Sequence, residues 1–265
     1  MSAKSSSNPR RRVTLFDPAR KGQLTPRQTK WLILIGLPVW VYTSFIISQL
    51  LIIAALWAIE LVSISPFAYV TDAAAQTIIS VLIYALTLAL TAGVPYLLWR
   101  RKVTLETFGL QRLPTWSDIG LSPLAFCAYA LAVSIIVAIV SQIPGYPADQ
   151  AQEVGFKAFG SRTDNLLAFV TLVVLAPIAE EALFRGYLYG KLKKYAPGVI
   201  AAIITSILFG IVHGQLNVAV DVFVLSMVLC GLRSLTGSIW AGVLVHMIKN
   251  AIAYYLLFIS PLLGA

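Results

Sequence analysis

Residues 165–195 read NLLAFVTLVVLAPIAEEALFRGYLYGKLKKY, from Asn165 to Tyr195. Crossing the hydrocarbon core of a bilayer takes ~20 predominantly apolar residues, and this stretch is long enough. Lys191, Lys193 and Lys194 bound it at one end, and Glu180, Glu181 and Arg185 lie within it. Ionisable side chains inside a span are costly, so each is a functional hypothesis by default. Pro177 precedes the two glutamates. Having no N–H, it removes the backbone bond to Val173 and can kink the helix beside Glu180.

Six further apolar stretches flank this one: Trp31 to Ile59, Ala74 to Trp99, Gly120 to Ile143, Pro197 to Leu216, Val218 to Leu235 and Ser238 to Ile259. The pattern predicts an all-α membrane protein, a bundle of seven transmembrane helices with an intramembrane chamber. The first stretch is long enough to break at Pro38, which leaves room for an eighth membrane segment. It starts too late and runs too long for a cleavable signal peptide. The expected organisation is a disordered basic cytoplasmic tail over 1–30 and a single polytopic membrane domain over 31–265. No internal repeat, low-complexity core or soluble domain is evident.

Composition agrees. The 265 residues are 58% hydrophobic and only 12% charged, with a mean hydropathy of +0.83. A soluble domain carries roughly 25% charged residues, so lipid must be the missing solvent. The net charge of +9 does not indicate nucleic acid, because the basic residues cluster in short loops between apolar stretches. Seventeen Lys and Arg fall on one side of the implied membrane and two, Lys157 and Arg162, on the other. The positive-inside rule then places the N-terminus in the cytoplasm of a multi-pass plasma-membrane protein. The tail, with Ser5-Ser6-Ser7 and Arg10-Arg11-Arg12, is expected to be attracted to anionic lipid. Thr104 to Asp118, carrying Leu110, Leu113 and Trp116, reads as interfacial, and the far-side loop Gln142 to Asp164 can form a cap. Cys127 and Cys230 lie in apolar runs and read as small core residues.

The polar residues inside spans collect in the later four. They are Glu180, Glu181 and Arg185, then His213, then His246, Lys249 and Asn250, and the set includes both histidines of the chain. Glu181 and Arg185 are four apart and share a helix face, which reads as a structural salt bridge. His246 and Asn250 are also four apart and point the same way. Glu180 is rotated ~100° from Glu181, so the two carboxylates cannot do the same job. At ~1.5 Å per residue, Glu180 lies ~16 Å from Lys191, His246 ~12 Å and Asn250 ~18 Å beyond Ser238, and His213 ~24 Å past Pro197. These depths allow a meeting near mid-membrane, in a chamber expected to open toward the cytoplasm. Blander readings stand beside this. A lone intramembrane His is often an interhelical hydrogen bonder. Phe209 reads as packing, Lys249 pairs with a carboxylate or snorkels, and Asp221 reads as interfacial.

Three motifs then resemble a known family. Glu180-Glu181-Ala-Leu-Phe-Arg185, Phe209-Gly-Ile-Val-His213 and His246-Met-Ile-Lys-Asn250 are similar, in order and placement, to those of the CPBP intramembrane endopeptidases. This is the type II CAAX prenyl endopeptidase, bacteriocin-processing or Abi family. The resemblance covers Asn165 to Asn250, about a third of the chain. Each motif alone is weak; three in order on apolar helices are specific. The family implies a catalytic chamber inside the membrane, with Glu180 as general base and His213 helping to hold the water. His246 and Asn250 would face the oxyanion, supported by Glu181, Arg185 and Phe209.

The chemistry is sensible. Peptide hydrolysis needs an activated water, which a carboxylate can deprotonate, and donors aimed at the oxyanion are worth a few kcal/mol each. No cofactor is favoured. Zinc is the alternative, held by Glu180, His213 and His246 with an open fourth position; against it, His-Glu-x-x-His is absent and Asn250 is a poor zinc ligand. The expected partners are membrane lipid and a lipidated or membrane-embedded peptide. Two other classes compete: a catalytically silent scaffold or immunity protein, and a transporter. The latter would want polar residues on many spans, and spans two and three carry almost no ionisable residues.

Overall fold

The computed structural model describes residues 25–62, 64–100, 102–156 and 161–260. The readings made for 1–24, Lys157 and 261–265 lie outside these. Among the described residues every regular element is helical: α1 Pro26–Leu61, α2 Asp72–Trp99, α3 Trp116–Val140, α4 Arg162–Leu192, α5 Gly198–Ile211, α6 Leu216–Thr236 and α7 Trp240–Ile259. A short 3₁₀ turn, Leu105–Phe108, lies between α2 and α3. Side-chain caps start α1 to α4. Thr25, Thr71, Thr115 and Ser161 each accept a bond from a backbone N–H of the first turn, satisfying donors that the first turn leaves open.

The all-α membrane bundle is as expected, with one difference in detail. All seven predicted stretches form helices; six are long and apolar enough to cross a membrane, and the other, α5, is a shorter apolar helix. The fifth predicted span ends as a helix at Ile211, and its 14 residues rise only ~21 Å against a core of ~30 Å. The first stretch, which leaves room for a break at Pro38 and an eighth segment, forms one helix: α1 runs unbroken through Pro38 for 36 residues.

The prolines are used rather than merely tolerated. Pro95 in α2 has no N–H for the carbonyl of Thr91, and that carbonyl instead accepts bonds from Trp40 Nε1 at 3.1 Å and Tyr187 Oη at 2.9 Å. In a bilayer a freed carbonyl must find an internal partner, and here it ties α1 and α4 to α2.

Contacts divide the loops into two ends. At the basic end the carbonyl of Gly109 accepts from Ile239 N at 3.2 Å and Ser238 Oγ at 3.1 Å. Trp240 Nε1 donates to the carbonyl of Arg112 at 2.6 Å. The interfacial stretch is therefore docked onto the bundle, although Leu113 and Trp116 face outward. A Cβ on Gly186 would sit 2.1 Å from the carbonyl oxygen of Phe108, so only glycine allows this approach. At the opposite end Thr71 Oγ1 donates to Asp164 at 2.6 Å, and Asn217 Nδ2 to the carbonyl of Gln150 at 2.6 Å. Cys230 is buried as expected; Cys127 is exposed on α3.

Candidate active site

Two π-helical stretches in α4, Val170–Leu175 and Ala182–Tyr189, bracket the short α-helical segment Ala176–Glu181 that carries both glutamates. Such widened turns often accompany functional sites. In the first, the N–H of Ala176 reaches back five residues to the carbonyl of Thr171. The same register would give the carbonyl of Leu172 to Pro177, which has no N–H to offer. Asn250 of α7 fills the gap, with Nδ2 donating to that carbonyl at 2.9 Å. The proline thus acts on Leu172, not on the Val173 expected of a regular helix.

The two carboxylates do different jobs on either side of one imidazole. Glu181 is fully buried; its Oε1 lies 3.1 Å from His246 Nδ1 and 2.8 Å from Arg185 Nη1. A carboxylate accepts, so Nδ1 donates and Nε2 is left facing Glu180 Oε2 at 3.8 Å. The other oxygen of Glu180 accepts from Tyr84 Oη at 2.6 Å. Glu181 therefore does more than pair with Arg185: it sets the orientation of His246. The Arg185 contact is an ion pair off the hydrogen-bonding axis, and the guanidinium carbon lies 4.2 Å from the Phe209 ring centre. Phe209 also meets His213 and His246 edge to face, at centroid distances of 4.8 and 5.9 Å. It packs, as expected, but at the centre of the motif residues.

His213 sits just past the end of α5. Its Nδ1 lies 2.7 Å from the carbonyl oxygen of Phe209; a carbonyl only accepts, so Nδ1 carries a proton, and in the neutral imidazole Nε2 is the acceptor. Glu180, His213, His246 and Asn250 all line one cavity of about 290 Å³, and Tyr84 and Lys249 join them. Lys249 pairs with Asp221 at 3.3 Å, and Tyr129 donates to the same carboxylate. Asp221 is thus tied into the bundle rather than simply interfacial.

Tyr84 and Tyr129 are not singled out by sequence because a tyrosine in an apolar run looks like packing. The available signal is the hydroxyl, which needs a partner once buried. The direction of the chamber also differs from expectation: Gln152, Glu153 and Val154 of the far-side loop line it, so it lies toward the end opposite the basic loops. Among the described residues no three His, Cys, Asp or Glu groups gather as a metal-ligand set. Glu180, His213 and His246 do not converge on an ion in this arrangement.

Residues 162–252 match the family model described as type II CAAX prenyl endopeptidase Rce1-like, and this segment holds all three motifs. A Bacillus subtilis (strain 168) protein described as "Putative membrane peptidase YdiL" is 29% identical over 84 residues, which are 32% of this chain and 34% of that protein. The chain spans about a third of the length of that curated relative. No solved structure matches. The resemblance read from the motifs is borne out over this segment.

Proposed function

We propose that the chain is an intramembrane endopeptidase of the CAAX type, using Glu180 to activate water. The observation that carries this is the imidazole of His246 held between two carboxylates, Nδ1 at 3.1 Å from Glu181 and Nε2 at 3.8 Å from Glu180, beside a cavity within the bundle. A gap of 3.8 Å between polar atoms suits a bridging water. That water gives one proton to Glu180 Oε2 and is steadied by the unprotonated Nε2 of His246 or His213. Its oxygen adds to the scissile carbonyl carbon, and the oxyanion faces the second N–H of Asn250, the first being engaged by Leu172. Glu180 then returns the proton to the leaving amine, and the C–N bond breaks. Tyr84 holds the far oxygen of Glu180, and Glu181 with Arg185 holds His246. No step is routed through a metal. The substrate is a lipidated or membrane-embedded peptide, the surrounding partner is membrane lipid, and the basic loops face the cytoplasm.

The test is cleavage of lipidated and unlipidated peptides by the purified full chain in detergent or liposomes, comparing wild type with Glu180→Ala and His213→Ala. Loss of cleavage in both variants, with full wild-type cleavage in a strong chelator, is the expected result. Chelator-sensitive cleavage replaces the glutamate mechanism by the zinc alternative. Equal cleavage by wild type and Glu180→Ala removes Glu180 from the chemistry.

A further inference from the structure

The direction in which the chamber opens bears on which peptides can reach it. On α7 the lining runs from His246 outward to Phe258 and includes nothing nearer the basic end; α5 itself contributes no lining residue, only Val212 and His213 just past its C-terminal end. Below this level Arg185, Tyr187, Leu188 and Phe209 are each at most 2% exposed. The docked turn closes that end further, with Phe108 stacked on Tyr187 at 6.1 Å and Gly186 against the Phe108 carbonyl. These side chains pack closely between the chamber and the basic end, and the cavity of about 270 Å³ that runs from Tyr84 to Leu110 along α2 and α4 holds neither histidine nor Glu180.

The opposite end is built differently. Because α5 stops short, the segment Ala151–Val154 descends over the end of the helix, and Gln215 grips it: Oε1 accepts from Glu153 N at 2.8 Å and Nε2 donates to the Ala151 carbonyl at 3.1 Å. A second cavity, of about 410 Å³, adjoins the first and shares Gln152, Glu153, Val154, Leu257 and Phe258 with it. Glu153, on the wall of both, is exposed. The two cavities share a wall between this strap and the end of α7.

We infer that substrate and water reach the chamber from the membrane side opposite the basic loops, so the substrate class is a peptide whose scissile segment is exposed on that side. A tail confined to the basic side meets these packed side chains. The substrate half of this statement rests on the endopeptidase reading; the access half does not.

The test uses the full chain with Cys127→Ser and Ala253→Cys, the latter on the chamber wall, while Cys230 stays buried. The protein is reconstituted in vesicles with the basic loops either inside or outside, the orientation being scored by trypsin access to those loops. A charged maleimide cannot cross the bilayer readily. It is expected to label the introduced thiol at least an order of magnitude faster when the basic loops are inside. Faster labelling in the inverted vesicles, equal rates, or no labelling until the protein is denatured overturns the inference. Val154→Cys gives the same readout should Ala253→Cys fail to assemble. In a second arm, a lipid-anchored peptide on the outer leaflet should be cut only by vesicles with the basic loops inside. No cleavage even in detergent sinks the endopeptidase reading, and the labelling arm still decides the route.

Discussion

In α3 only 6% of the most apolar stretch is buried within the protein, whereas in α6 the corresponding figure is 50%. Both stretches are apolar enough to span, so hydropathy does not separate them; their neighbours do. The front helices α1–α3 turn much of their surface to lipid, and several of their hydroxyls are satisfied within the same helix. Ser48 donates to the Ser44 carbonyl at 2.7 Å, Thr87 to Ile83 at 2.7 Å and Ser134 to Ala130 at 2.7 Å. In the rear helices α4–α7 several buried polar groups find partners on other helices, as His246 does with Glu181 and Asn250 with Leu172. Apolar sequence specifies the solvent. Interhelical polar pairing marks where the protein does something beyond spanning.

Substitutions on the two sides can break or sharpen this contrast. The largest effect is expected for Glu181→Gln, which leaves the guanidinium of Arg185 buried beside a neutral amide. Removing one partner of a buried ion pair costs ~3–5 kcal/mol, so the thermal unfolding midpoint in detergent should fall clearly. A midpoint within error of wild type would mean that the rear pairing is not what holds the bundle together. Next comes Tyr84→Phe, where a front helix reaches into the rear cluster. Losing a hydrogen bond to a charged group is worth ~1.5–3 kcal/mol. Here the loss should appear as slower cleavage and a displaced pH profile, with little change in KM. An unmoved pH profile would return Tyr84 to packing. The smallest effect is expected for Leu131→Ala on the lipid face of α3, 66% exposed. Surface changes of this kind stay within ~0.5 kcal/mol, and a larger drop in the unfolding midpoint would show that this face has a protein partner.

Much of the candidate site is legible in the sequence. Glu180, His213, His246 and Asn250 stand out because charge and imidazole are rare in apolar runs; helical rise brings Glu180, His246 and Asn250 to comparable depths and leaves His213 deeper. The second carboxylate is only half legible. A spacing of four residues makes the Glu181–Arg185 pair visible, but only the packing of α7 on α4 shows the same carboxylate holding His246. Asn250 is similar: its face is readable, whereas its bond to Leu172 depends on a π-helical register that Pro177 leaves incomplete. Tyr84 is not legible, since 96 residues separate it from Glu180 and nothing local marks its hydroxyl.

By itself the sequence determined that the chain is a helical membrane protein, where six of its spans lie, which loops share the basic end and which side chains are candidates for chemistry. These follow from transfer free energies and helical periodicity, which act over one segment at a time. The tertiary structure decided the rest: that α5 ends at Ile211, that the strap over residues 151–154 fills the space beyond it, that the chamber leads away from the basic loops, and that Glu181, His246, Glu180 and Tyr84 form one chain of contacts. Each depends on where a helix stops against its neighbours and on groups distant in sequence meeting across an interface, and neither is written in the composition of any single span.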